Sequence, residues 1–234
     1  MAFPETRWTL ISHLSDPAKV DAALDQLCRV YWGPIYAYLL QSGKTHPEAQ
    51  DLTQEFLEMV VRQRLLERAN RESGKLRSWL LSALRNFLSN AHRYETRQKR
   101  GSGAYFFPLD SDDVIPELKR VVSKELSPDE AFDRAWVAVL LRRVLDLLAQ
   151  QYRDAGRQRE FDALLPWLVD TGDESQSDAA TKAGLTPANF RVQLHRLRGR
   201  YRQILRQEVS ATLEREEDYE QEVEYLFRIS GQPV

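Results

Sequence analysis

Cysteine is almost absent: Cys28 is the one thiol in 234 residues. A lone thiol excludes an internal disulfide framework and suits a reducing compartment. Histidine is nearly as scarce, and His13, His46, His92 and His195 lack metal-ligand spacing. None stands in a local pattern with Cys28 that would suggest a nucleophilic triad, and no P-loop-type glycine run is present to hold a phosphate. Acids such as Asp51 and Glu55 share a helical spacing, but nothing beside them resembles a second ligand set. The expectation is therefore a protein that is not an enzyme, with no catalytic residues, no metal and no cofactor. Long apolar runs are missing too, none approaching the roughly 20 residues of a bilayer span. The opening MAFPETRWTL has no basic stretch leading into an apolar one, so no signal peptide is expected. These absences point to a cytoplasmic protein.

What is present is helical pattern. Hydrophobic residues make up 42% of the chain, enough for packed cores. Pro17, Pro47, Pro128 and Pro187 follow Asp16, His46, Ser127 and Thr186, which places them at helix starts. Ser127 with Glu130 three residues on forms a capping box. Apart from the short run 104–109, no alternating stretch competes, so the fold class is all-α. One helix beginning at Pro47 turns Leu52, Phe56, Met59 and Val60 to a core, with Asp51, Glu55, Glu58 and Arg62 opposite. The next, from about Lys75, buries Leu80, Leu84, Phe87, Leu88 and Ala91. Its polar stripe is Ser78, Ser82, Arg85, Ser89 and Arg93, with Asn86 and Asn90 beside it. Later helices present Trp136, Leu140, Val144, Leu147 and Leu148, and then Phe161, Leu164, Leu165 and Leu168. Two glycines, two prolines and Asp110, Asp112 and Asp113 interrupt the periodicity, so residues 101–127 read as a linker. It divides a first domain, 1–100, from a second, 128–209, and an acidic extension, 210–234, is expected to hold a short helix.

A net charge of −2 says nothing for nucleic acid, but its distribution does. Basic residues gather between Arg71 and Gly103, and again between Pro187 and Gln207, where six arginines stand without an acid. In the second stretch Ala180 and Gly184 are the small residue and the turn residue that a helix-turn-helix requires. Thr186 can cap the second helix, while Leu185 and Phe190 form a hydrophobic staple. Phe190, Leu194 and Leu197 then face inward, leaving Asn189, Arg191, Gln193 and Arg196 near the exposed first turns. A recognition helix meets base edges there, and arginine and amide side chains match guanine and adenine. Arg200, Arg202 and Arg206 lie beyond those turns and suit phosphates.

The ordered runs Asp51-Leu52-Thr53-Gln54-Glu55-Phe56, Gly74-Lys75-Leu76-Arg77-Ser78-Trp79-Leu80, Arg85-Asn86-Phe87-Leu88 and Gln98-Lys99-Arg100-Gly101 precede this helix-turn-helix. The set resembles bacterial sigma-70-type factors of the extracytoplasmic-function class. The segments Phe3–Leu10 and Tyr31–Tyr36 look like a subgroup common in planctomycete-like bacteria. The resemblance implies a sigma factor that directs core RNA polymerase to promoters and assists −10 melting. It implies polymerase binding by Asp51, Gln54, Glu55 and Glu58, whose acidic and amide face suits a basic protein partner. It implies −10 contacts, on duplex and single-stranded promoter DNA, by Arg85, Asn86, Ser89, Asn90, Arg93, Arg97, Lys99 and Arg100. Trp79 could stack on a flipped base, although a core position is the ordinary place for it. The −35 element falls to Asn189, Arg191, Gln193, Arg196 and Arg200. The family also implies an anti-sigma factor or other regulatory protein as a partner. Asp178-Ala179-Ala180 and Phe190 depart from the usual residues, which bears on base preference and not on the motif. The competing reading is a helix-turn-helix regulator that binds duplex DNA without polymerase.

Overall fold

The computed structural model describes residues 20–62, 65, 76–94, 125–169, 175–213 and 218–230. Among these residues every regular element is a helix, so the protein is all-α. The chain forms two compact units, Met1–Val139 with Ser210–Val234, and Leu140–Val209. The units meet in the chain between residues 139 and 140 and between 209 and 210; of the stretch 101–127 expected to be a linker, 101–124 lie outside the described residues.

In the first unit, α1 (Val20–Gln41) packs on α2 (His46–Arg62), and α3 (Leu76–Tyr94) follows. From Val30 to Leu39, apart from Gly33 and Pro34, α1 is apolar or aromatic, and this stretch is buried throughout. A helix that is apolar all round belongs in a core, and α1 occupies that place here. Pro34 lies inside it, not at a helix start as the other prolines suggested. Its ring removes one backbone hydrogen bond. The full burial of Ile35, Tyr36 and Ala37 holds the helix through that gap. Thr45 begins α2 by accepting Glu48 into a capping arrangement: its amide and hydroxyl both donate to the Glu48 carboxylate, at 2.8 and 2.6 Å. These bonds hold the Glu48 carboxyl below its ordinary range.

The buried face of α2 is Ala49, Thr53, Phe56, Leu57 and Val60. It is turned slightly from the expected one, since Leu52 and Met59 are only half-buried. Thr53 can enter the core because its hydroxyl donates to the Ala49 carbonyl at 2.7 Å. Cys28 is fully buried on α1, and burial, aided by Asp25, pushes its thiol up to about 12.

The helix α4 (Pro128–Asp154) begins in the first unit with the expected capping box. The Ser127 amide donates to Glu130 at 2.8 Å, and the Glu130 amide donates to the Ser127 hydroxyl at 3.3 Å. Ala131, Phe132, Ala135 and Trp136 are wholly buried here. The acidic extension contains a helix, Tyr219–Ser230, which is the last in the chain. Its Glu222 is 1% exposed and receives both terminal nitrogens of Arg77, itself 6% exposed. The Arg77 Nε lies 3.2 Å from Asp133, which also accepts from the Tyr225 hydroxyl. The Arg77 guanidinium sits over the Trp136 ring at 4.9 Å and the Tyr225 ring at 5.5 Å. Burial alone would pull Arg77 down, but Glu222 and Asp133 outweigh it and hold the cation above the ordinary arginine value.

In the second unit the rest of α4 buries Leu140, Val144, Leu148 and Tyr152. Residues 157–169 form two helices where one was expected, α5 (Gln158–Leu164) and α6 (Pro166–Val169). The physical reason is Pro166, which starts a helix more readily than it continues one. Phe161 and Leu164 are buried as expected, while Trp167 is buried in place of Leu165 and Leu168. It meets Phe190 edge to face, with centroids 6.1 Å apart. Two further helices, α7 (Gln176–Lys182) and α8 (Pro187–Ser210), complete the unit. The C-terminal helix Tyr219–Ser230 is α9.

Candidate nucleic-acid interface

The α7–α8 corner is set by local chemistry. Ser175 caps α7, accepting from the Asp178 amide at 3.2 Å. The helix ends on Gly184 at φ +68°, a left-handed conformation that costs glycine nothing. The Leu185 amide then reaches back to the Ala180 carbonyl at 2.8 Å, and the Gly184 amide to Thr181 at 3.0 Å. Ala180 is 0% exposed, so the small residue expected at the packing point is there. Thr186 caps α8 by accepting from the Asn189 amide at 3.3 Å, and Phe190, Leu194 and Leu197 turn inward.

The opposite face of α8 carries Asn189, Arg191, Arg196 and Arg200, all exposed. Gln193 is half-buried: it accepts from Arg157 Nη2 at 2.9 Å and donates to Asn189 Oδ1 at 3.3 Å. Not every arginine is equally open. Arg198 donates to the Trp167 carbonyl at 2.8 Å, and Arg200 lies over the Tyr152 ring at 5.4 Å. Arg157 covers the same ring at 5.2 Å and is bound by Glu160 at 2.9 Å. Two residues of this face were not expected. Arg157 is brought to Gln193 across 36 positions, a separation at which no local pattern exists. Val192 is 48% exposed beside Arg191, although its spacing from Asn189 could have placed it on the outer face.

In the first unit, α2 presents Asp51 and Glu55 exposed, with Gln54 and Glu58 half-buried, on the side away from Phe56 and Val60. Glu58 lies 3.7 Å from the exposed Arg62, a loose pair, and Asp51 and Glu55 keep this surface acidic. On α3 the polar stripe Ser78, Ser82, Arg85 and Ser89 is exposed, with Asn86 beside it. Asn90 and Arg93 lie on the same helix, their side chains outside the described residues, as are Arg97, Lys99 and Arg100 altogether. Arg85 pairs with Asp129 at the start of α4, each about half-exposed, so a phosphate would have to displace a carboxylate there. Arg77, counted within the basic segment, is buried against Glu222 and takes no part in this surface.

Beside the stripe lies an open cavity of about 310 Å³ lined by Met59, Leu65, Trp79, Ser82, Ala83, Asn86 and Phe87. Trp79 is half-buried, so it is neither a core tryptophan nor an isolated surface one. Its ring and Phe87 give apolar walls, while Asn86 and Ser82 give polar edges. Such a recess accepts a flat heteroaromatic ring better than a chain of charge. The Phe87 ring also packs on Phe56 of α2, 5.6 Å between centroids. No helix among the described residues is long and apolar enough to cross a membrane. No family model matches the chain, and no curated protein or solved structure matches it.

Proposed function

We propose that the protein is a sigma factor of the extracytoplasmic-function type, binding core RNA polymerase and promoter DNA and performing no catalysis itself. The observation that carries this reading is the cavity walled by Trp79 and Phe87 beside the polar stripe of α3. A regulator confined to duplex DNA has no use for a ring-sized recess, whereas a protein that holds an unpaired base needs one. The α7–α8 corner supports the reading from the second unit: it has the features of a helix-turn-helix whose outer face is basic and amide-bearing. The acidic face of α2 is of the wrong sign for DNA and suits a basic protein surface. In this mechanism α2 docks on polymerase, α8 reads upstream duplex, and the α3 surface holds the opened strand while polymerase does the chemistry. A cytoplasmic location, and a regulatory protein that restrains the factor, belong to the same proposal.

The test is association with bacterial core RNA polymerase and promoter opening in its presence. A stable complex that opens a selected promoter supports the proposal, with Glu55→Lys lowering polymerase affinity while leaving the helical content unchanged. Binding to duplex DNA with no polymerase complex would instead favour the regulator reading. Trp79→Ala should cost about 1–3 kcal/mol in affinity for single-stranded promoter DNA, the range for one stacked base. Its duplex affinity should be unchanged, and an equal loss on both substrates would refute the role of the cavity.

A further inference from the structure

We infer that Arg157, from outside the recognition helix, fixes the amide orientation of Gln193 and Asn189 and so makes Asn189 a reader of guanine. This rests on the DNA-binding reading of α8. The chain of hydrogen bonds admits one polarity. Arginine has donors and no acceptor, so the Gln193 atom 2.9 Å from Arg157 Nη2 must be the carbonyl oxygen. The other end of that side chain is then the amide nitrogen, a donor, and the Asn189 atom 3.3 Å from it must be Oδ1. Asn189 is thereby left with its NH₂ group outward, and among the described residues nothing accepts from it.

Arg157 is itself held in place. Its Nε donates to Glu160 at 2.9 Å, and its guanidinium lies over Tyr152, a wholly buried ring. Glu160 raises its proton affinity further, so the donor state is permanent. A fixed donor at one end therefore propagates through two amides to the exposed first turns of α8.

The base consequence follows from the groove. Guanine offers two acceptors in the major groove, O6 and N7, which an outward NH₂ can serve together. Adenine offers N7 and a donor, N6, and a bidentate match would have to share the amide oxygen that Gln193 already engages, through its second lone pair. Asparagine would ordinarily be assigned to adenine; this relay tilts it toward guanine, whose two acceptors need only the outward NH₂. Arg157 is a positioning residue, since it acts on the base through two other side chains.

The experiment is selection from a randomised duplex by the full-length protein, with and without bacterial core polymerase. Asn189→Ala identifies the position that Asn189 reads. There the wild type should prefer guanine over adenine by about tenfold, which is one good base contact. Arg157→Met should bring that ratio to within about twofold while other positions keep theirs, and Arg157→Lys, which still donates to Gln193, should retain it. Gln193→Met breaks the relay at its centre on an exposed helix and should behave as Arg157→Met does, which covers the case of a poorly folded Arg157 variant. An adenine preference in the wild type, or guanine-to-adenine ratios unchanged in both methionine variants, would overturn the relay alone. No enrichment by any protein, with or without polymerase, would overturn the DNA-binding reading and the relay with it.

Discussion

A guanidinium withdrawn from water needs its charge balanced inside the protein, and Arg77 finds that balance on two other helices. Glu222 and Asp133 supply the anions, and Trp136 and Tyr225 offer ring faces. Removing one partner of a buried pair typically costs about 3–5 kcal/mol where the other charge is left uncompensated. Asp133 stays 3.2 Å from the Arg77 Nε, so Glu222→Gln should lower stability by about 3 kcal/mol, the low end of that range, read as a shift in the denaturant midpoint. Arg77→Met with Glu222→Leu should recover most of the loss, because Asp133 keeps the Tyr225 hydroxyl. None of this was readable beforehand. The partners lie 145 positions apart, and Arg77 stood in a basic run that suggested a solvent-facing cation. Cys28 is the second residue with a measurable consequence. Its thiol titrates at 9.0 when unfolded and near 12 when buried, so the unfolded chain loses that proton first. Stability from this group is intact below pH 9 and falls as pH rises toward 12. The difference between the wild type and Cys28→Ala should shrink over that window in equilibrium unfolding, and a constant difference would contradict the assignment.

At the scale of elements, what could be read from sequence was what local chemistry decides. Ser127 with Glu130, Thr186 with Asn189 and Gly184 after Ala180 each act within one helical turn, and each is found as expected. Gly184→Ala tests the last of these. A Cβ there would meet nothing within 4 Å, so the cost is backbone conformation alone, about 1–2 kcal/mol. It should appear as a lower melting temperature of the second unit, with the same helical content. What local pattern could not give was rotation and rivalry between elements. Thr53 takes a core place that its polarity argued against, and Pro166 divides a stretch that periodicity joined. On α8 the outward positions were legible from the Phe190, Leu194 and Leu197 spacing, but their internal bonds were not. Arg191 remains exposed, so Arg191→Ala should weaken upstream duplex binding by about 1–3 kcal/mol if its contact is bidentate. Uniform weakening across sequences would make it a phosphate contact instead.

For the whole molecule, the all-α class was legible because helical periodicity runs through most of the chain. The return of the C-terminal segment to the first unit was not, since it depends on which distant segments pack together. The first half of α4 buries Phe132 and Trp136 in the first unit, and α9 returns to that unit after the second is complete in sequence. The second unit is thus inserted within the chain of the first. That arrangement sets a schedule for synthesis. Arg77 is made 145 residues before Glu222, roughly seven to thirty seconds at ordinary elongation rates. Once Val209 has left the ribosome and before Glu222 does, Leu140–Val209 is whole and can fold, while Arg77 still lacks one of its two counter-ions. A chain arrested with Val209 outside the ribosome and Glu222 still inside it should therefore display a protease-resistant second unit joined to a first unit that is still digestible.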